Sequence, residues 1–277
     1  MHLSTVETLL EYEVLQPAHL CFNIEAARWP TQAVVGEMLT VTPEVPLRTF
    51  EDANGNRFFR FDAQPGPLLV DYKAEVEVHP QHVRQDAPEL PVSRLPDELL
   101  PDILPTRYCE SDVLGPFVRE TFGALRPGLS RVRAIVDWVH ANIAYRAGST
   151  TSTSTAAEVL QQRAGVCRDF AHVAITLCRA LNIPARLVAG HVWFDEPPQD
   201  FHAVFEAWLD GQWVLFDPTG MAPVDRLVRI GTGRDAKDVA FCTIFGAVRL
   251  LRKQVWVLEH DPRGPVRATG PVEDALA

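Results

Sequence analysis

Three residues of this sequence have the types and spacing for covalent chemistry: Cys167, His202 and Asp217. Cys167 opens the stretch CRDFAHVAITLCR, in which Ala171, Val173, Ala174, Leu177 and Cys178 recur at helical spacing and predict a largely buried helix over Cys167–Ala180. A thiol in the first turn of a helix meets unpaired amide N–H groups and the positive end of the dipole. Both favour its thiolate, and the Arg168 guanidinium would add to them. Such a sulfur still needs a base, for which His202 is the candidate, with Asp217 to orient it. The chemistry implied is attack on an acyl carbonyl. His202 would take the thiol proton and later deliver it to the leaving amine, while Asp217 holds the useful imidazole tautomer. The Cys167 backbone N–H and a second, unassigned donor would receive the oxyanion. An inert buried cysteine is the alternative, because free cysteines are among the most buried residues. Gly165 two residues before it, the helix behind it and the His/Asp hairpin downstream set Cys167 apart.

The elements that must position these groups follow from local signals. Asp210-Gly211 between two apolar runs, Phe201–Leu209 and Gln212–Pro218, predicts a hairpin with a two-residue turn. In that register Val204 faces Asp217 and His202 faces Thr219, so His202 and Asp217 lie diagonally on one face of the ladder. A slip of one residue would place them on opposite faces. Upstream, helices are expected over 113–122, 130–141 and 156–161, the last capped by Ser154 or Thr155 with Glu158 completing the box for Thr155. Residues 142–146 read as a short strand or turn, and 185–193 as a strand.

Several neighbours compete for a chemical role. Asp169 is read as a first-turn or loop-anchoring group, His172 as a core residue, His191 as a strand residue that could line the cleft, and Glu206 as a cleft charge and weaker alternative to Asp217. Trp193, Trp208 and Trp213 suit sheet packing or an acyl groove. The hydroxyl-rich run from Gly148 to Thr155 lacks both the GxSxG and the GxxxxGK[ST] patterns, which leaves a solvated cleft-side loop. Cys167, His172 and His202 do not form a compact zinc pattern, so no metal and no cofactor are expected.

The remaining sequence bounds the setting. With 277 residues and 47% hydrophobic content, the chain can bury two cores. A formal charge of -10, without a run of Lys or Arg, argues against a nucleic-acid partner. No stretch approaches a membrane span, the first residues lack the apolar core of a signal peptide, and five scattered cysteines without a CxxC pair fit a reducing, cytoplasmic setting. Alternating apolar residues through His79 predict an N-terminal β-sandwich over 1–80. Pro88, Pro91, Pro96, Pro101 and Pro105 mark a junction over 81–105, followed by a helix-and-sheet region over 106–260 and a Gly/Pro-interrupted tail over 261–277. The fold class is therefore α+β.

At GVCRDFAH, DFHAVFEAWL and WVLFDPTG the sequence resembles the transglutaminase-like cysteine enzymes, in particular bacterial members that join an N-terminal β domain to a papain-like catalytic core. The resemblance implies Cys167 as nucleophile, His202 as base and Asp217 as orienting carboxylate, within an FDPT signature at 216–219, and it runs through the TRYCESD junction. It implies a peptide or protein substrate and leaves three outcomes open. These are hydrolysis of peptide, isopeptide or glutamine amide bonds, which is favoured; transfer of a glutamine acyl group to an amine acceptor; and an inactive peptide-binding scaffold.

Overall fold

In the computed structural model, residues 1–260 and the backbone of 267–268 are described. Six strands open the chain: β1 (His2–Val14), β2 (Ala18–Phe22), β3 (Gln32–Thr42), β4 (Arg48–Glu51), β5 (Arg57–Ala63) and β6 (Gly66–Val78). The junction that follows holds two short 3-10 turns, Val92–Arg94 and Asp97–Ile103. The helical part then comprises α1 (Gly115–Phe122), α2 (Leu129–Asn142), β7 (Ala144–Tyr145), α3 (Ala156–Gln162), β8 (Ala164–Gly165) and α4 (Cys167–Arg179). It leads into β9 (Ala185–His191), β10 (His202–Leu209), β11 (Gln212–Phe216) and β12 (Val228–Gly233). The last strands are β13 (Cys242–Phe245), β14 (Val248–His260) and β15 (Arg267–Ala268). Among the described residues no helix is long and apolar enough to cross a membrane.

Two antiparallel sheets, ordered β15-β14-β1-β6-β3 and β13-β2-β5-β4, enclose one apolar core built on Val6, Leu10, Leu20, Phe22, Phe59, Phe61, Val70 and Tyr72. Period-two alternation along β1 and β6 puts every second residue into this core, which gives the β-sandwich expected from the N-terminal sequence. Residues 242–260 fall within the 106–260 region expected from the sequence to form the helix-and-sheet unit. In space β13 lies beside β2 and β14 runs along the whole of β1, from Leu3↔His260 to Val14↔Val248. No local pattern encodes such a return, because strand partners are chosen by distant complementarity. Apart from β15, the expected tail lies outside the described residues.

The second unit is a four-stranded antiparallel sheet, β11-β10-β9-β12, with α4 laid across one face. Phe170, Ala171, Val173, Ala174 and Leu177 of α4 share a core with Leu187, Phe205 and Ala207, and α2 and α3 pack against α4 from outside. Burial of α4 nearly all round follows from this double covering. The Arg179 guanidinium ties its C-terminal end to three backbone carbonyls, of Leu104, Ala185 and Arg234.

The sandwich covers the edge of this sheet by imitating a strand. Gln32 donates to the Arg229 carbonyl and accepts its N–H, and Asn56 does the same for Thr232. Both residues of β12 would otherwise present unpaired backbone groups at a buried edge. Gly231 between them is required by close approach, since a Cβ there would stand 2.5 Å from the Asn23 side-chain oxygen.

Candidate active site

The sulfur-bearing turn is held by one carboxylate. Asp169, wholly buried, accepts the Val166 N–H at 2.9 Å and the Thr150 hydroxyl, and it pairs with Arg168 at 2.7 Å. Arg168 also reaches the Thr151 carbonyl. Its guanidinium is thus engaged with the helix start and the hydroxyl-rich loop instead of standing free beside the thiol. The same fold-back explains Gly165, where an added Cβ would lie 2.7 Å from that of Asp169. Cys167 follows as the first residue of α4, with β8 immediately before it.

Across from it, the Asp-Gly turn sets the register. Leu209↔Gln212, Trp208↔Trp213 and Phe205↔Phe216 pair as the two-residue loop requires, with Asp210 and Gly211 both at positive φ. His202 begins β10, and Asp217 follows directly on the last residue of β11. His202 Nε2 lies 3.0 Å from Asp217 Oδ2 and both groups are buried. Asp217 is held from its other sides by the Thr219 N–H and hydroxyl and by the Ala222 N–H, at 2.7–3.0 Å. Gly220, at a φ of 67°, closes this turn below His140.

With Nε2 engaged by Asp217, Nδ1 is the nitrogen left to face the Cys167 sulfur, which acts on the imidazole electrostatically. Phe194 covers the ring, with centroids 5.4 Å apart. Burial disfavours the imidazolium, but the Asp217 carboxylate and the Cys167 sulfur outweigh it and raise its titration to about 10. Burial works against the Asp217 carboxylate too. Its bonds from His202 and Thr219 nevertheless hold it below the ordinary carboxylate range. His202 and Asp217 therefore form a buried polar relay beside the helix mouth that carries Cys167.

This relay agrees with what the chain is similar to. Residues 116–218 match the transglutaminase-like superfamily, and residues 2–98 match the bacterial transglutaminase N-terminal domain. A crystal structure from Cytophaga hutchinsonii, provisionally assigned as a cysteine protease, superposes with a TM-score of 0.89 at 37% identity, over 95% of this chain and 92% of that one. The chain belongs to the transglutaminase-like superfamily. An uncharacterised Mycobacterium tuberculosis protein is 34% identical over 143 residues, 47% of this chain and 46% of its own, so the match spans about half the length of that relative. An uncharacterised Mycobacterium leprae protein is 28% identical over 83% of this chain and 88% of its own. Membership supports cysteine-based catalysis.

Other sequence candidates in this transglutaminase-like protein lie away from the relay. Glu206 is buried between Arg186 and Arg229, each at 2.6 Å, and faces neither His202 nor the thiol. His191 is sealed against Phe201, with burial pushing its titration down to about 3, and does not line the cleft. His172 stacks on Tyr108 in the core and accepts the Ala236 N–H. Trp208 and Trp213 pack edge to face on the sheet, with Arg186 over Trp213. Trp193 packs on the sandwich core. Among the described residues no three His, Cys, Asp or Glu side chains converge as a metal-binding group.

One residue at the site was not anticipated. Tyr145 in β7 pairs with Gly165 in β8, which sets it beside the helix start that carries Cys167, with its ring 6.0 Å from that of Phe170. The sequence signal was faint, a tyrosine in a two-residue strand without periodicity.

Proposed function

We propose that this chain is a cysteine-dependent acyl-transfer enzyme that acts on peptide, isopeptide or glutamine amide bonds through a thioester, with water as the ordinary acceptor. The observation that carries this reading is the buried His202–Asp217 pair, 3.0 Å apart, beside a cysteine in the first turn of a helix. The raised titration of His202 supports a resting imidazolium, which can act as the acid in the same step as the sulfur attacks. In that step Cys167 Sγ bonds to the acyl carbon and the carbonyl π pair moves to oxygen. Collapse then breaks the C–N bond as His202 gives its proton to the departing amine. Deacylation reverses the roles: His202 takes a proton from water, the hydroxide oxygen bonds to the acyl carbon, and Sγ leaves.

Substrates in this reading are peptides or proteins, and an amine competing with water would divert the same thioester to transamidation. All five cysteines are free, which supports a reducing, cytoplasmic setting. The test is product mass spectrometry with unlabelled peptides and glutamine donors, with and without added amines, on the parent chain and Cys167→Ala. Hydrolysed products from the parent alone are expected. Amine adducts as the main product would replace hydrolysis by transamidation, and equal products from both proteins would remove Cys167 from the reaction.

A further inference from the structure

We infer that a polar cavity at the meeting point of the sandwich, the proline-rich junction and the four-stranded sheet binds a small zwitterion of the α-amino-acid class, with its ammonium group on Asp102 and its carboxylate on Arg186 and Arg234. The inference is independent of the acyl-transfer reading. The cavity measures about 190 Å³, well above the ~10–15 Å³ that one water needs, and its walls come from three parts of the chain. Asn54 lines it from the turn between β4 and β5, Glu98 and Asp102 from the junction, and Arg186, Arg234 and Asp238 from β9 and the loop after β12. Arg179 at the end of α4 fixes two of these walls, because its guanidinium donates to the carbonyls of Leu104 and Arg234. Cys167 stands at the other end of the same 13-residue helix, roughly 18 Å away along its axis.

Local sequence explains how a carboxylate comes to be stranded here. The 3-10 turn Asp97–Ile103 packs against α4 and β9, with Leu99 buried, and Pro101 inside it has no N–H to donate. Asp102, the next residue, is carried inward and is only 7% exposed. Among the described residues nothing hydrogen-bonds to its carboxylate or forms an ion pair with it. Arg186, Arg179 and Arg234 attract its charge and Glu206 repels it, yet burial outweighs the three cations and pushes the carboxyl up to about 6. An ionised group so placed destabilises the fold until a partner arrives.

The cations of the cavity are equally incomplete. Arg186 gives its Nε to Glu206 at 2.6 Å and lies over Trp213, but its terminal nitrogens have no acceptor among the described residues. Arg234 gives Nε and one terminal nitrogen to Asp238 and keeps the other. A metal ion or simple amine would face two guanidinium groups, and a simple anion would face Asp102. A ligand with both charges meets each wall with its opposite. An α-amino acid carries those charges on neighbouring groups: the ammonium supplies three donors toward Asp102, and the carboxylate accepts from an arginine fork. Glu98, exposed at the rim, adds to the attraction for the ammonium group.

The experiment measures thermal shift and calorimetric affinity on the full chain with each common L-amino acid at about 10 mM, and with propionate and ethylamine as the two halves of alanine. At least one amino acid is expected to raise Tm by about 2 °C or more, and each half to bind at least about tenfold more weakly than the best amino acid. Asp102→Asn should weaken that binding by about tenfold or more, and Arg234→Gln should weaken it as well. The unliganded Asp102→Asn protein should melt at or above the parent's Tm, because the substitution removes a buried charge that has no partner. This second readout separates a binding group from a structural one. An Asp102→Asn protein that melts lower or fails to fold overturns the inference, since the carboxylate would then serve the fold. A panel with no binder overturns it too, as does binding that survives both substitutions. Propionate or ethylamine matching the best amino acid would make this a site for a single charge and defeat the zwitterion.

Discussion

His202 and Glu206 stand on the same face of β10, both shut off from solvent, and their charges are used in opposite ways. Glu206 is clamped between two guanidinium groups. Arg186 and Arg229 each pair with one of its oxygens, and Trp29 from the sandwich lies over both cations, 5.5 and 4.1 Å from their centres. Burial opposes that carboxylate, yet the two arginines hold it well below the usual range. Each carboxylate oxygen accepts from its own guanidinium. His202 has one fixed partner, Asp217, and its other ring nitrogen is left for the sulfur at the helix mouth. Burial alone therefore does not mark a reactive group. A buried charge whose partners are all permanent holds the molecule together, and one with a partner that reaction can change is available for chemistry.

The sharpest way to break this contrast is to remove each group and read both activity and stability. His202→Ala is expected to lower turnover about a thousandfold or more, equivalent to about 4 kcal/mol of barrier, with a smaller change in the urea midpoint than Glu206→Gln. Glu206→Gln is expected to cost about 3–5 kcal/mol of stability, because two guanidinium groups lose the carboxylate that neutralises them, while turnover per folded molecule stays within about threefold. If Glu206→Gln instead abolished turnover in a protein that unfolds normally, the division between holding and reacting charges would be wrong.

A smaller effect tests how far the holding region extends. Gln32 and Asn56 each satisfy one donor and one acceptor on β12. Gln32→Ala or Asn56→Ala should cost about 1–3 kcal/mol per group left unsatisfied and increase proteolytic nicking in the proline-rich junction between β6 and α1. Stability and protease resistance like the parent's would mean that water substitutes for both amides, and that the sandwich is attached more loosely than its contacts suggest.

The same contrast separates what was legible in sequence from what was not. The His202–Asp217 pair was readable because a two-residue Asp-Gly loop determines register, and register determines which side chains share a face. The Thr155–Glu158 capping box was readable for the same reason, as both halves lie within one turn. The return of β14 to β1, and the reach of Gln32 and Asn56 to β12, join residues far apart in the chain, where no local spacing specifies a partner. Glu206 was misjudged as a cleft charge on that account. Its face on β10 was visible, but Arg186 on β9 and Arg229 on β12 became its partners only once three strands were aligned. Tyr145 needed a parallel bridge to Gly165, and a bridge of two residues leaves no periodic trace.

The smallest expected effect concerns pH and isolates the contribution of Asp217. The His202 titration is raised from the ordinary 6.5 to about 10, so the stability it contributes is fully present below 6.5 and is lost as pH rises through about 10. If the imidazolium must protonate the leaving amine, kcat/KM should fall on the alkaline side as that proton is lost. Asp217→Asn keeps the size of the side chain but removes the negative charge beside Nε2. The alkaline limb should then move down by about one pH unit, and the alkaline loss of stability should move with it. The carboxylate contributes in the opposite direction on the acid side: its titration is lowered, so its stabilising effect is present above the ordinary value of 3.8 and fades as pH falls below it. Asp217→Asn should accordingly flatten the acid dependence as well. An unmoved alkaline limb would mean that the imidazolium is held by the sulfur alone, and Asp217 would then join Glu206 among the charges that serve only to hold the fold.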